Sequence, residues 1–143
     1  MPKVYKSVLV PYSAERMYEL VERVEDYPQF LPWCAGITVQ ERSENRLVAT
    51  LHIAFKGIKQ SFTTANVQTP SSMMQMNLVD GPFKHLEGLW RFTVLEAQAC
   101  KVEFELDYSF SSTLLEKVIG PVFGIIAATF IDGFVRRAEA LYG

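Results

Sequence analysis

Between Val118 and Ile131 the chain carries no charged side chain, and this run lies inside a longer stretch, Ser112 to Gly143, that reads as one helix. Thr113 followed by Glu116 has capping-box spacing, which predicts the helix start there. Ile119, Phe123, Ile126, Phe130, Phe134, Ala138 and Leu141 recur at steps of three and four, so they share one stripe. Asp132 and Arg136 stand four apart, acid first, on a flank suited to water and to pairing with each other. The uncharged run is too short for a bilayer span, which needs roughly 20 apolar residues. Gly120-Pro121 interrupts it, and a proline lacks the backbone N–H and clashes with the preceding turn, so a kink or a restart is expected. A helix this apolar has to be covered, and the rest of the chain reads mostly as strands.

The strands follow from alternation. Residues 3–10 place Val4, Val8 and Val10 on one face and Tyr5 and Leu9 on the other, up to Pro11. Ser13 is positioned to cap a helix through about Arg23 whose inner side is Met17, Leu20, Val21 and Val24. Asp26 is positioned to cap a second short helix, with Pro28 in its first turn and Pro32 ending it. Ile37–Glu41 and Leu47–Phe55 then form a hairpin around Ser43-Glu44-Asn45, with Leu47, Ala49, Leu51, Ile53 and Phe55 facing inward. Lys56-Gly57, Pro70-Ser71-Ser72 and Asp80-Gly81-Pro82 are turns separating Ile58–Val67, Met73–Val79 and Leu86–Leu95. In the last strand Val102, Phe104, Leu106, Tyr108 and Phe110 oppose Glu103, Glu105, Asp107 and Ser109, the pattern of a sheet with one buried face and one wet face. The order is strand, two short helices, about six more strands, long helix. Short turns between consecutive strands predict an antiparallel meander. A curved sheet of this kind buries the helix as a plug, and its large side chains leave a cavity between the two.

A chain of 143 residues suits one domain, taken here as residues 1–143, able to bury about two-thirds of its unfolded surface. Ten Phe, six Tyr and two Trp argue for a full core and for an interior that accepts a flat or greasy molecule. The expected pocket, roughly 300–1,000 Å³, draws its lining from Tyr27, Trp33, Phe55, Phe62, Phe83, Trp90, Phe123, Ile126 and Phe130. A net charge of −2 gives no overall basic footprint for DNA or RNA. Two small basic groups stand out, Lys56 with Lys59 and Lys84 with His85 and Arg91, and these would form a local positive patch if their loops meet.

Chemistry is not indicated. His52 and His85 have no cysteine or carboxylate at metal-ligand spacing, so neither metal nor cofactor is expected. Cys34 and Cys100 read as free buried thiols in a reducing cytoplasm, and neither has a base that would make it a nucleophile. Glu103, Glu105 and Asp107 read as a solvated face. There is no phosphate-binding glycine loop and no Ser/His/Asp elbow. The start, MPKVYKSV, lacks a signal-peptide pattern. The expectation is a non-enzymatic cytoplasmic protein with no transmembrane segment and at most a transient contact with a membrane surface.

The segments YPQFLPWC (27–34), FKGIKQSF (55–62), DGPFKHLEGLWRF (80–92) and FIDGFVRRAEALYG (130–143) resemble the START-like helix-grip (SRPBCC) family. Within it they resemble the branch of ubiquinone-binding proteins and ribosome association toxins, once named oligoketide cyclases. The resemblance spans essentially the whole chain. It implies an α+β fold with a curved seven-stranded antiparallel sheet wrapped around the C-terminal helix. It also implies a hydrophobic ligand such as ubiquinone in support of respiration, or binding to the large ribosomal subunit that blocks subunit joining. Polyketide cyclisation is a further alternative. Ribosome contact would run through Lys56, Lys59, Lys84 and Arg91, or through Arg136 and Arg137 near the helix end.

Overall fold

The alternating stretches are realised as seven antiparallel strands in one sheet, in the computed structural model, which describes residues 3–143. Residues 1 and 2, part of the start read as lacking a leader pattern, lie outside the described residues. The strands are β1 (Lys3–Val10), β2 (Cys34–Arg42), β3 (Arg46–Phe55), β4 (Ile58–Thr69), β5 (Met73–Asp80), β6 (Phe83–Glu96) and β7 (Ala99–Phe110). Helices α1 (Ala14–Glu22) and α2 (Tyr27–Phe30) follow β1, joined by a 3₁₀ turn at Val24–Asp26, and α3 (Thr113–Tyr142) closes the chain. The spatial order is β1-β7-β6-β5-β4-β3-β2, so only β1 leaves the hairpin sequence, crossing to pair with β7 from Lys3↔Asp107 to Val10↔Cys100.

Local chemistry explains where the elements begin. Ser13 Oγ accepts from Arg16 N–H at 3.2 Å and caps α1. Asp26 does not cap α2 with its side chain, contrary to expectation. It already has helical backbone angles, and its carboxylate meets Arg23 at 3.6 Å instead. The α3 cap is Ser112 rather than Thr113, its Oγ accepting from Leu115 N–H at 3.1 Å. Strand β6 begins at Phe83, earlier than expected, because Phe83 stacks on Phe110 across the ladder at 5.1 Å. That moves His85 from a loop onto a strand.

Three turns between strands take left-handed backbone, the β4–β5 turn at Ser71 (φ 63°) among them. Lys56 (φ 50°) and Gly57 (φ 83°) both lie in the left-handed region, as a hairpin turn matching strand twist requires. At Gly81 (φ 149°) a Cβ would sit 2.6 Å from Phe62 Cβ and 3.2 Å from its Cα. Gly81→Ala is therefore expected to lose roughly 1–3 kcal/mol, read as a lower chemical-denaturation midpoint with unchanged slope.

Helix α3 runs without interruption through Pro121. Lys117 and Pro121 are both exposed, so the carbonyl deprived of its partner can face water rather than break the helix. By length and composition α3 is apolar enough to cross a bilayer, its best window having mean hydropathy 2.0, whereas the uncharged run alone was expected to fall short. Its packing accounts for part of that apolarity, since under half of that window is buried. Ile119, Phe123, Ile126, Phe130, Phe134 and Ala138 are buried beneath the sheet. Leu141, expected on the same stripe, is 52% exposed, and Tyr142 packs on Tyr12 instead at 5.9 Å between ring centroids. Asp132 and Arg136 form no ion pair and both face solvent.

One aromatic cluster lies under the middle of α3. Trp90 is 1% exposed, with its ring centroid 4.7 Å from Phe104, 5.6 Å from Phe130 and 5.2 Å from Phe134. On the flank, Arg42 of β2 ties the sheet to the first helices by pairing with Glu22 at 3.2 Å and with Glu25. The Arg42 hydrogen bonds hold the Glu25 carboxyl below its ordinary range, while burial pushes Glu22 up.

Candidate functional site

A cavity lies between α3 and the sheet. Phe123, Ile126, Ala127 and Phe130 of α3 form one wall, and Val24, Tyr27 and Trp33 close it near α2. Opposite them stand Ala49, Leu51 and Ile53 from β3, Met74 and Met76 from β5, and Leu86, Phe104 and Leu106 from β6 and β7. These are the inward positions of their strands, placed there by period-two alternation. Six of the expected residues line it: Tyr27, Trp33, Phe62, Phe123, Ile126 and Phe130. Three do not. Phe55 sits half-buried at the end of β3, Trp90 is sealed in the core, and Phe83 packs between Phe62, Phe123 and Phe110.

The free space is about 50 Å³, although about 660 Å³ of non-atom space lies in the same envelope once gaps between side chains and open solvent are included. The smaller figure falls well short of the expected range. Aromatic rings expected to border a void meet one another edge-to-face instead, as Phe123 does with Tyr108 at 4.8 Å. A ligand larger than a few atoms needs the lining side chains to move.

Strand β4 contributes a polar row that the reading of the sequence missed. Thr64, Asn66 and Gln68 are buried at 3–4% exposure, while Val67 between them is 51% exposed. The signal was present, since Phe62 is in phase with Thr64, Asn66 and Gln68. Thr64 and Asn66 line the cavity.

The titratable groups near the cavity are held neutral. Tyr27 donates its hydroxyl to Val21 O at 2.5 Å, and burial pushes its pKa well above the ordinary value. Burial also pushes the Cys34 thiol up to about 11 and raises Cys100. Neither cysteine is disulfide-bonded. His52 is engaged on both ring nitrogens, by Thr38 Oγ1 at 3.0 Å and Ser61 Oγ at 2.7 Å. Glu103, Glu105 and His85 pair with Tyr5, Lys3 and Asp107 on the outer face. Among the described residues no group of three His, Cys, Asp or Glu is placed to hold a metal ion.

The basic candidates divide. Lys56 and Lys59 lie at the β3–β4 turn and Lys84 at the start of β6, all exposed and all at the same end of the sheet. Ser111 N–H donates to Pro82 O at 3.0 Å, which brings the first turns of α3, with exposed Lys117, to that end as well. Arg91 does not join them. It lies roughly 20 Å along β6 from Lys84 at the rise of an extended strand. Its outer cleft is shared with Lys3, Glu87, Glu105 and Asp107, so the local field there is mixed. Arg137 is also engaged, donating to Gln29 Oε1 at 3.0 Å and covering the Phe30 ring. Beside the lysine end, Leu114, Val118 and Ile125 are exposed on the outer side of α3.

A seven-stranded antiparallel sheet closed over a long C-terminal helix, with a cavity between them, defines a START-like helix-grip domain. The chain belongs to the polyketide cyclase / dehydrase and lipid transport family, whose model matches residues 10–135. It is 45% identical over 142 residues to the ribosome association toxin RatA of Escherichia coli (strain K12), covering 99% of this chain and 90% of that one. It is 25% identical to the mitochondrial coenzyme Q-binding protein COQ10 homolog B of Xenopus laevis, covering 96% of this chain and 58% of that one. A START superfamily protein from Mycobacterium smegmatis shares the fold with a TM-score of 0.77 at 21% identity, covering 97% of this chain and 98% of that one.

Proposed function

We propose that the chain binds a hydrophobic molecule of the isoprenoid quinone class between α3 and the sheet and does not transform it. The observation that carries this reading is the cavity itself, lined almost wholly by apolar side chains and without a charged residue. Apolar burial at about 25 cal/mol per Å² favours a long hydrocarbon tail in such a lining. The titratable side chain in the lining is Tyr27, whose hydroxyl is tied to Val21 O, which supports a carrier rather than a cyclase. The exposed Leu114, Val118 and Ile125, beside lysines, suit brief contact with a membrane that supplies the ligand. The test is saturable uptake of a quinone by delipidated protein, with the quinone recovered unchanged.

A second reading, ribosome association, rests on a different observation. The relative named for it is 45% identical over nearly the full chain, against 25% for the coenzyme Q-binding one. That comparison weighs toward a RatA-type role, and the two readings are compatible because the cavity is internal and the basic end external. With a net charge of −2, attraction to ribosomal RNA has to be local, through Lys56, Lys59 and Lys84. Co-sedimentation with large ribosomal subunits is expected to fall steeply as salt rises, since each neutralised phosphate releases counterion. Lys56→Glu with Lys84→Glu is expected to lower binding at least about tenfold at low salt. Wild-type-like sedimentation of the double variant would exclude this surface, and no sedimentation of either protein at any salt would exclude the reading.

A further inference from the structure

Asn66 is 4% exposed and stands in the cavity wall. Its Nδ2 donates to Met74 Sδ at 3.5 Å, while its Oδ1 is buried without any hydrogen-bond partner. Exchanging the two amide atoms would turn an oxygen toward a thioether sulfur, and neither carries a hydrogen. The contact with Met74 therefore selects the orientation that leaves an acceptor unpaired, covered until the lining side chains move aside. A buried acceptor left unpaired destabilises the protein, and a ligand hydrogen bond there removes that penalty. The lining has no carboxylate that could pair with a cationic donor, so the complementary group is neutral.

Resting on the ligand-binding reading above, we propose that Asn66 is the head-group subsite of the cavity. It takes a neutral hydroxyl donor, a phenol or the hydroquinone form of a quinone-type lipid. A quinone carbonyl only accepts hydrogen bonds, so it leaves Oδ1 unpaired and forfeits this contact. The cavity therefore discriminates between the reduced and oxidised forms of one lipid, with no change in the fit of the tail.

The test compares a para-alkylphenol with its methyl ether, alike in chain and differing in the donor, by titration of the intrinsic tryptophan fluorescence, since Trp33 lines the cavity. The wild type is expected to bind the phenol about tenfold more tightly than the ether. Asn66→Leu is expected to bind the ether at least as well as the wild type does and to reduce the preference to about twofold or less. An anaerobic titration with an alkylhydroquinone and its quinone should give the same order. Equal binding of phenol and ether by the wild type would overturn the proposal without reference to any variant, assigning Oδ1 to water alone and leaving the ligand-binding reading in place. A preference that persists in Asn66→Leu would also overturn it. If none of these molecules binds saturably, the ligand-binding reading itself fails, and this subsite with it.

Discussion

Trp90→Ala is expected to lose about 3–5 kcal/mol of folding stability, the range for removing a fully buried aromatic side chain. Trp90 joins β6 to both the sheet and the helix. Its ring meets Phe92 and Phe104 on the strand side and Phe130 and Phe134 on α3. Truncation removes that apolar area and leaves a void that the surrounding rings, locked edge-to-face, fill only in part. At this chain length a loss of that size corresponds to a thermal midpoint lower by roughly 10–20 °C. Phe55→Ala, at a half-buried strand end, should cost much less by the same measurement. Similar losses for the two would mean that Trp90 is not the centre of the core.

The strands were legible because each carries its alternation openly, and β7 most clearly. The stripe of α3 was legible for the same reason up to Ala138. At Leu141 periodicity failed, since the last turn is held by Tyr142 against Tyr12, a contact between the helix end and the β1–α1 turn that no local pattern encodes. At Pro121 the helix does not restart, which was one of the two outcomes expected there. Sequence identifies the missing N–H, but only the exposure of that side of the helix shows that the gap can be met by water.

The cavity was half legible. Its walls follow from strand parity for Phe62 on β4 and from the helical stripe of α3 for Phe123 and Phe130. Its size does not, because whether large rings border a void or fill it depends on how they meet across the sheet. Trp90 and Phe83 fill. The polar row of β4 was overlooked because polar residues on a strand are ordinarily assigned to the wet face. The basic groups were legible as residues but not as a surface, since Lys84 and Arg91 share a strand and lie at its two halves.

Ala127→Leu is expected to reduce affinity for an isoprenoid quinone by at least about tenfold while keeping the fold. Ala127 is 2% exposed and lines the cavity from α3. The carbons that leucine adds there are comparable in volume with the roughly 50 Å³ of free space, leaving little room for a tail. Leucine is a good helix former, so α3 itself is not penalised. Overpacking adds a cost of about 1–3 kcal/mol, read separately in the unfolding midpoint. Ala127→Ser, which changes little volume, should bind nearly as the wild type does. If Ala127→Leu binds quinone as the wild type does, the ligand does not occupy this space.

The most direct measurement of the central claim is native mass spectrometry of the protein purified without detergent, before and after extraction with organic solvent. The cavity account predicts a fraction carrying the added mass of one neutral lipid, lost on extraction and restored by incubation with quinone in the wild type but not in Ala127→Leu. The bare polypeptide mass before extraction, together with no saturable uptake afterwards, would contradict it.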